Sequence, residues 1–294
     1  MIEYLISHKI TKNSFFQPVS PKKIRIFAPN IRKKAAMPEV RAKKALGQHF
    51  LTDQRVAERI AATLDQYVGT PVLEIGPGMG VLTHWLMERG HNLTVIEIDH
   101  ESVEYLQRHY PSLAIIEGDF LEYDLASVYG DQPFCVIGNY PYNISSQIFF
   151  KVLDYKDQIP CCSGMLQREV AQRLAAKEGS KTRGILSVLL QAWYDVEYLF
   201  TVNENVFNPP PKVKSGVVKL TRNCVRHLPC DESLFRTVVK TTFGQRRKTI
   251  RNSARSLIPP ATQLPDSPLF AMRPEQLSVE QFYELTNIIN SLRR

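Results

Sequence analysis

The sequence predicts an α/β protein built on a seven-stranded mixed sheet with one antiparallel strand, followed by a small α-helical region. Three observations carry this. From Asp53 onward, short apolar runs alternate with amphipathic helical stretches, and such alternation requires right-handed crossovers and a parallel, doubly wound sheet. The last two apolar runs are joined by a Pro-rich loop with no helical period, so they read as a hairpin that closes the sheet antiparallel. After about Arg222 only helical periods remain, punctuated by Pro259, Pro260, Pro265, Pro268 and Pro274.

Taken in order, residues 1–40 lack a sustained period and carry Pro18, Pro21, Pro29 and Pro38 among scattered basic residues. They read as a basic extension with little fixed structure, or as sequence upstream of a start at Met37. Residues 71–75, 93–98, 114–117, 134–138 and 164–166 are five strands, each leading into a helical stretch, and 196–202 with 216–220 form the closing hairpin. Helices are expected over 233–243, 246–257 and 279–292. The domains are then 41–222, which holds the sheet, and 223–294, a small helical unit.

Composition narrows the class. The 294 residues are 44% hydrophobic, enough for one large core and a smaller one. No apolar run is long enough to cross a bilayer, and Glu3, His8 and Lys9 interrupt any signal-peptide core, so a cytoplasmic protein without a membrane partner is expected. Cys135, Cys161, Cys162, Cys224 and Cys230 show no paired ligand spacing; they read as reduced thiols, with no metal site. The net charge of +8 is unevenly spread: residues 1–44 hold 11 Lys and Arg against 2 acids, 45–221 hold 14 against 21, and 222–294 hold 12 against 6. An acidic middle between basic ends suits a catalytic unit flanked by segments that meet a polyanion.

The segment Val72-Leu73-Glu74-Ile75-Gly76-Pro77-Gly78-Met79-Gly80 ends the first long strand, turns on three glycines and opens a helix. Glycine is needed where backbone approaches a ligand closely or takes positive φ, which marks Gly76 and Gly78 as cofactor-binding positions. The spacing is not the dinucleotide fingerprint, and S-adenosylmethionine, which has no phosphate, does not need that fingerprint. The next strand ends at Glu97, placed to accept both ribose hydroxyls. The third leads to Asp119, which can take the adenine amine of the cofactor, and Phe120, which can line its ring. An acid after each of the two following strands is far more specific than a glycine turn alone, and the acidic surroundings suit a sulfonium cation.

The fourth strand ends in Asn139-Tyr140-Pro141-Tyr142. An adenine amine is a poor nucleophile because its lone pair is delocalised into the ring. The Asn139 side-chain carbonyl and the backbone carbonyl of Tyr140 or Pro141 can accept its two hydrogens and concentrate the lone pair on nitrogen. Pro141 stiffens the loop, and Tyr142 offers a face for an extruded base. In the helix expected over 246–257, Arg247, Arg251 and Arg255 recur every four residues beside Arg246 and Lys248, which makes a basic ridge for RNA.

Several strings in one order now resemble a family. They are Ala45-Leu46-Gly47-Gln48-His49-Phe50-Leu51, the 74–80 loop, Asn139–Tyr142 with Asn143-Ile144-Ser145, Phe207-Asn208-Pro209-Pro210-Pro211-Lys212-Val213, and Phe243-Gly244-Gln245-Arg246-Arg247-Lys248. Together, from about Arg41 to the C-terminus, they resemble the KsgA-type rRNA adenine dimethyltransferases, which are Rossmann-like class I methyltransferases. The resemblance implies dimethylation of two adjacent adenosines in the 3′-terminal hairpin of small-subunit (16S) rRNA during ribosome assembly; a monomer is expected. It places His49, Leu51, Gly76, Glu97, Asp119 and Asn139 against the cofactor and Asn139, Tyr142 and Phe207 against the target adenine. The chain departs from the family pattern at His49, where Asn is usual, and at Tyr140, where Leu is usual. The competing readings are a large-subunit rRNA adenine methyltransferase, a DNA amine methyltransferase, and a non-catalytic RNA-binding assembly factor on the same fold.

Overall fold

The computed structural model describes residues 40–293; apart from Val40, the expectation of an extension over 1–40 lies outside the described residues. A two-residue strand β1 (Phe50–Leu51) precedes α1 (Gln54–Ala61). Asp53 starts that helix by accepting the N–H groups of Arg55 at 2.9 Å and Val56 at 3.3 Å, donors that have no partner inside the helix. There follow β2 (Val72–Ile75), α2 (Val81–Glu88), β3 (Leu93–Glu97), α3 (His100–His109), β4 (Ala114–Glu117) and α4 (Ala126–Tyr129). Next come β5 (Cys135–Asn139), α5 (Ser145–Asp154), β6 (Cys161–Gln167), α6 (Arg168–Leu174) and α7 (Ile185–Gln191). The chain then runs through β7 (Tyr194–Val202), β8 (Phe207–Asn208), β9 (Ser215–Arg222), α8 (Glu232–Gly244), α9 (Ile250–Ser253) and α10 (Val279–Leu292).

The large sheet has the order β4-β3-β2-β5-β6-β9-β7. Pairing is parallel from β4 through β6, and β9 is antiparallel to both β6 and β7, so seven strands with one reversed are present, as the apolar runs predicted. Burial follows position. The central strands β2 and β5 are buried along nearly their whole length, whereas the edge strand β7 alternates exposed with half-buried residues between buried ends, the pattern of a strand with one wetted face.

From β2 the chain winds outward through β3 and β4, then returns to β5 on the other side of β2. The crevice outside the C-terminal ends of β2 and β5 is therefore the topological switch point, where open α/β sheets bind ligands. Leu73, Val136 and Phe149 belong to the buried cluster on one face of the sheet, and Val72, Ile60 and Leu86 to that on the other. Phe235, Val239 and Phe282 from α8 and α10 join the first cluster, so the helical region packs onto the same core as the sheet. Cys135, Cys161 and Cys162 are fully buried strand residues. No described helix is long and apolar enough to cross a membrane.

Two features differ from expectation. Residues of β1 pair antiparallel with β8, Phe50 opposite Asn208 and Leu51 opposite Phe207, a small second sheet that two-residue strands cannot announce by periodicity. The helix expected over 246–257 is broken: α8 ends at Gly244, residues 245–248 form a turn closed by the Lys248 N–H on Gln245 O at 2.8 Å, and only the four-residue α9 and a 3-10 turn (Arg255–Leu257) follow. The run 245–249 offers no apolar side chain to bury, so nothing anchors a helix there until Ile250 reaches the core.

Candidate active site

At the switch point a single cleft is lined by His49, Leu51, Gly76, Gly78, Glu97, Asp119, Phe120, Asn139, Tyr140, Pro141 and Tyr142, residues drawn from five separate stretches of sequence. Its floor is the loop between β2 and α2. Gly78 has φ +55, and a Cβ there would lie 2.8 Å from the Phe50 ring, so glycine lets the segment before α1 close down on the loop. That segment is held by Lys43, which pairs with Asp99 and with Glu101 at 3.1 Å, and by Gln48, whose side-chain amide donates to Asp99 at 3.3 Å. Burial opposes charge on Asp99, but hydrogen bonds from Lys43, Ser102 and Gln48 outweigh it and keep the carboxyl below its ordinary range.

Glu97 ends β3 with 4% of its surface exposed. One carboxylate oxygen accepts the Gly78 N–H at 3.0 Å; the other accepts the N–H groups of Ile98 and Asp99, each at 2.9 Å. Burial raises its pKa despite these donors. The carboxylate is thus locked in orientation by the glycine loop and its own strand end. Asp119, after β4, accepts the Leu121 N–H at 2.8 Å through one oxygen; among the described residues its other oxygen accepts nothing. Behind it the Lys151 ammonium, on α5, donates to the carbonyls of Phe120, Leu121 and Tyr123, which fixes the loop carrying Asp119 and Phe120.

Asn139 is the last residue of β5. Its side-chain N–H donates to the His49 carbonyl at 3.0 Å, and since a backbone carbonyl can only accept, this bond sets which end of the amide is nitrogen. Among the described residues the Asn139 side-chain oxygen accepts no hydrogen bond. The Pro141 carbonyl accepts the Ile144 N–H at 3.3 Å, whereas that of Tyr140 has no such partner among the described residues; of the two backbone acceptors left open by sequence, Tyr140 is the freer.

Tyr140 itself is a core residue, 1% exposed, with its hydroxyl donating to the Ser163 carbonyl at 2.6 Å. Its ring lies over Gly138 and Gly164, where a Cβ would come within 2.9 Å and 2.7 Å of it. A tyrosine fits here because β5 and β6 both carry glycine beneath it, and burial pushes its pKa well above the ordinary value. Tyr142 is held at its hydroxyl by Ser215 at 2.5 Å, with its ring 5.6 Å from that of His49. A His49 ring nitrogen, Nδ1, donates to the Pro209 carbonyl at 2.8 Å.

Phe207 is not brought to the cleft. It is 5% exposed and packs with Leu51, Val202 and Val217, because pairing of β8 with β1 turns it inward and Asn208 outward. The basic ridge is redistributed as well. The Arg246 guanidinium bonds the Lys181 carbonyl and lies 3.8 Å from Glu275, and that of Arg255 bonds the carbonyls of Pro260 and Thr262. Arg247, Lys248 and Arg251 remain exposed, and the broken helix no longer sets Arg247, Arg251 and Arg255 on one face.

Glu74 was not singled out from sequence. It lines the cleft, is 1% exposed, and accepts the Thr83 hydroxyl at 2.7 Å; burial pushes its pKa up to about 8. Its place in the glycine segment was the available signal, but strand alternation alone does not say which face is dry. Among the described residues, the cleft is lined by three carboxyl groups, those of Glu97, Asp119 and the proton-retaining Glu74, and by no Lys or Arg. That donor set fits a ligand that is cationic and free of phosphate, with hydroxyl and amine hydrogens to give, as S-adenosylmethionine has.

Comparison with known proteins agrees with this geometry. The family model described as ribosomal RNA adenine dimethylase matches residues 39–291. The chain is 68% identical over 253 residues to "Ribosomal RNA small subunit methyltransferase A" of Parabacteroides distasonis, covering 85% of this chain and 94% of that one. Among solved structures it resembles a dimethyladenosine transferase from Plasmodium falciparum, with TM-score 0.65, 23% identity, and 83% and 98% of the two chains covered. It also resembles the 23S rRNA methyltransferase ErmE, with TM-score 0.59, 26% identity, and 81% and 99% covered. The chain belongs to the ribosomal RNA adenine dimethylase family.

Proposed function

We propose that the protein transfers methyl groups from S-adenosylmethionine to the exocyclic amine of two adjacent adenosines in the 3′-terminal hairpin of small-subunit rRNA, acting as a cytoplasmic monomer on an assembling subunit. The observation that carries the catalytic reading is the Asn139 amide, anchored through nitrogen on the His49 carbonyl with its oxygen unspent at the mouth of an acid-lined cleft. Bound S-adenosylmethionine supplies an electrophilic methyl on a sulfonium. Glu97 is set to hold the ribose hydroxyls, and the open oxygen of Asp119 the cofactor's adenine amine.

The target adenine stacks on Tyr142, which Ser215 holds in place. Asn139 Oδ1 and the Tyr140 carbonyl accept the two amine hydrogens and draw the nitrogen toward a pyramidal form whose lone pair faces the methyl. Transfer would form the nitrogen–carbon bond as the methyl–sulfur bond breaks and leaves a neutral thioether; the positive charge would then grow on the amine, where the same two oxygens can stabilise it until a proton leaves to water. After one methylation a single N–H remains for these acceptors; after two none does, so the product loses the bonds that held the substrate.

Arg247, Lys248 and Arg251 are exposed cations of the helical region that can meet the hairpin backbone, where A-form RNA is read through phosphates and groove shape. The small-subunit reading is favoured over a large-subunit one by 68% identity to a small-subunit enzyme against 26% to a 23S enzyme. The test is methyl transfer from labelled S-adenosylmethionine to small subunits lacking adenine dimethylation, with wild type and Asn139→Ala in parallel and the product nucleoside identified. Dimethyladenosine from wild type and a rate lower by ~10²–10³ in the variant are expected. No transfer by wild type that binds both cofactor and RNA would point instead to the binding-only factor.

A further inference from the structure

A second cavity adjoins the cofactor cleft. Lys44 and His49 line it from the segment before α1, Tyr142 and Gln167 from the ends of β5 and β6, and residues 209–213 from the loop between β8 and β9. Gly47, Gln48, His49 and Tyr142 line both cavities, so these residues make the partition between them, with the His49 and Tyr142 rings 5.6 Å apart. The hydrogen bond from His49 Nδ1 to the Pro209 carbonyl ties two walls of the second cavity together.

The two sides of the partition are opposite in charge. The cofactor side has the carboxyl groups of Glu97 and Asp119, with Glu74 held protonated by burial, and no Lys or Arg; the second cavity has Lys44 and Lys212 and no carboxylate. Both lysines are exposed, and among the described residues neither side chain makes an ion pair or a hydrogen bond. Lysines left unpaired beside a reaction centre are cations for which the protein itself supplies no anion.

We propose that this cavity holds the nucleotide next to the target adenosine, with its phosphate between Lys44 and Lys212 and its base against the proline rings of 209–211 and the Gln167 amide. The inference rests on the rRNA adenine reading above. Extruding a base unstacks its neighbour as well and leaves the joining phosphate at the mouth of the catalytic pocket. That phosphate is repelled by the acids around the cofactor and attracted to the lysines behind the partition. With two adjacent adenosines to modify, the cavity gives whichever is not being methylated a place to stand.

The test compares wild type, the double variant Lys44→Ala/Lys212→Ala, and Ala42→Trp, which fills the second cavity from its wall. None of these residues lines the cofactor cleft, so an unchanged Kd for S-adenosylmethionine and an unchanged melting temperature verify the fold of each variant. Methyl transfer to undimethylated small subunits is measured over a range of monovalent salt. Loss of both lysines from that one phosphate is expected to lower kcat/KM by ~10-fold at low salt and to flatten its log–log salt dependence by roughly 0.7. Ala42→Trp is expected to lower kcat/KM with both lysines in place. Wild-type rates and salt slopes in both variants would overturn the inference. If wild type binds cofactor but methylates no rRNA, the adenine reading itself fails, and this one falls with it.

Discussion

Replacing Glu97 with Gln preserves shape and changes only what the side chain can accept. In the wild type, two carboxylate oxygens serve three backbone N–H groups, those of Gly78, Ile98 and Asp99. A glutamine has one acceptor. If its oxygen keeps Ile98 and Asp99, its NH2 faces the Gly78 N–H at the former 3.0 Å contact, and one buried donor is left unpaired, a penalty of ~1–3 kcal/mol. Burial raises the Glu97 pKa, so removing the charge relieves desolvation that opposes this penalty, and stability of the ligand-free protein should move by no more than ~1 kcal/mol. Cofactor binding has no such offset. Two charge-assisted bonds from the ribose become neutral ones, a loss of ~2 kcal/mol or about 30-fold in Kd. Titration calorimetry with S-adenosylmethionine and S-adenosylhomocysteine, which share the ribose, should show the same loss for both. Affinity within threefold of wild type would refute the assignment of Glu97 to the ribose; a loss confined to the sulfonium ligand would show that Glu97 acts on charge instead.

Glu74, with its pKa pushed up to about 8 against an ordinary 4.5, keeps a proton in the folded protein that the unfolded chain gives up. Stability should therefore fall as pH rises between those values, and Glu74→Gln should flatten the decline; identical urea midpoints across that range for both proteins would show that Glu74 does not titrate this way. Lys151→Met removes the donor shared by three loop carbonyls and should raise the KM for S-adenosylmethionine by ~10-fold while leaving kcat near wild type, with Lys151→Arg recovering part of the loss; an unchanged KM would free the loop from Lys151. In Gly164→Ala the new methyl would collide with the Gly138 carbonyl and lie 2.7 Å from the Tyr140 ring. Overpacking there should lower stability by ~1–3 kcal/mol and reduce kcat through displacement of Asn139, and a melting temperature equal to wild type would show that β5 and β6 are not so closely bound.

By itself, the amino-acid sequence determined what is local and periodic. The alternating apolar runs established the mixed sheet, because each strand and each crossover helix needs only its own few residues to declare its period. The glycine loop, Glu97, Asp119 and Asn139 were legible for the same reason: each stands at the C-terminal end of such a run, and the topology then brings those ends to one crevice. Only the tertiary structure decided matters that depend on partners distant along the chain. The orientation of the Asn139 amide is set by the carbonyl of His49, 90 residues earlier. Whether a tyrosine is tolerated at 140 is decided by glycines on two strands, and the inward turn of Phe207 by a strand that pairs with β1. Helical spacing foretold a ridge of arginines, but a segment without buried side chains has no reason to stay helical, and two of those guanidinium groups bond backbone carbonyls instead. The second cavity, assembled from residues more than a hundred positions apart, had no signature in the sequence because its walls meet only when the chain is folded.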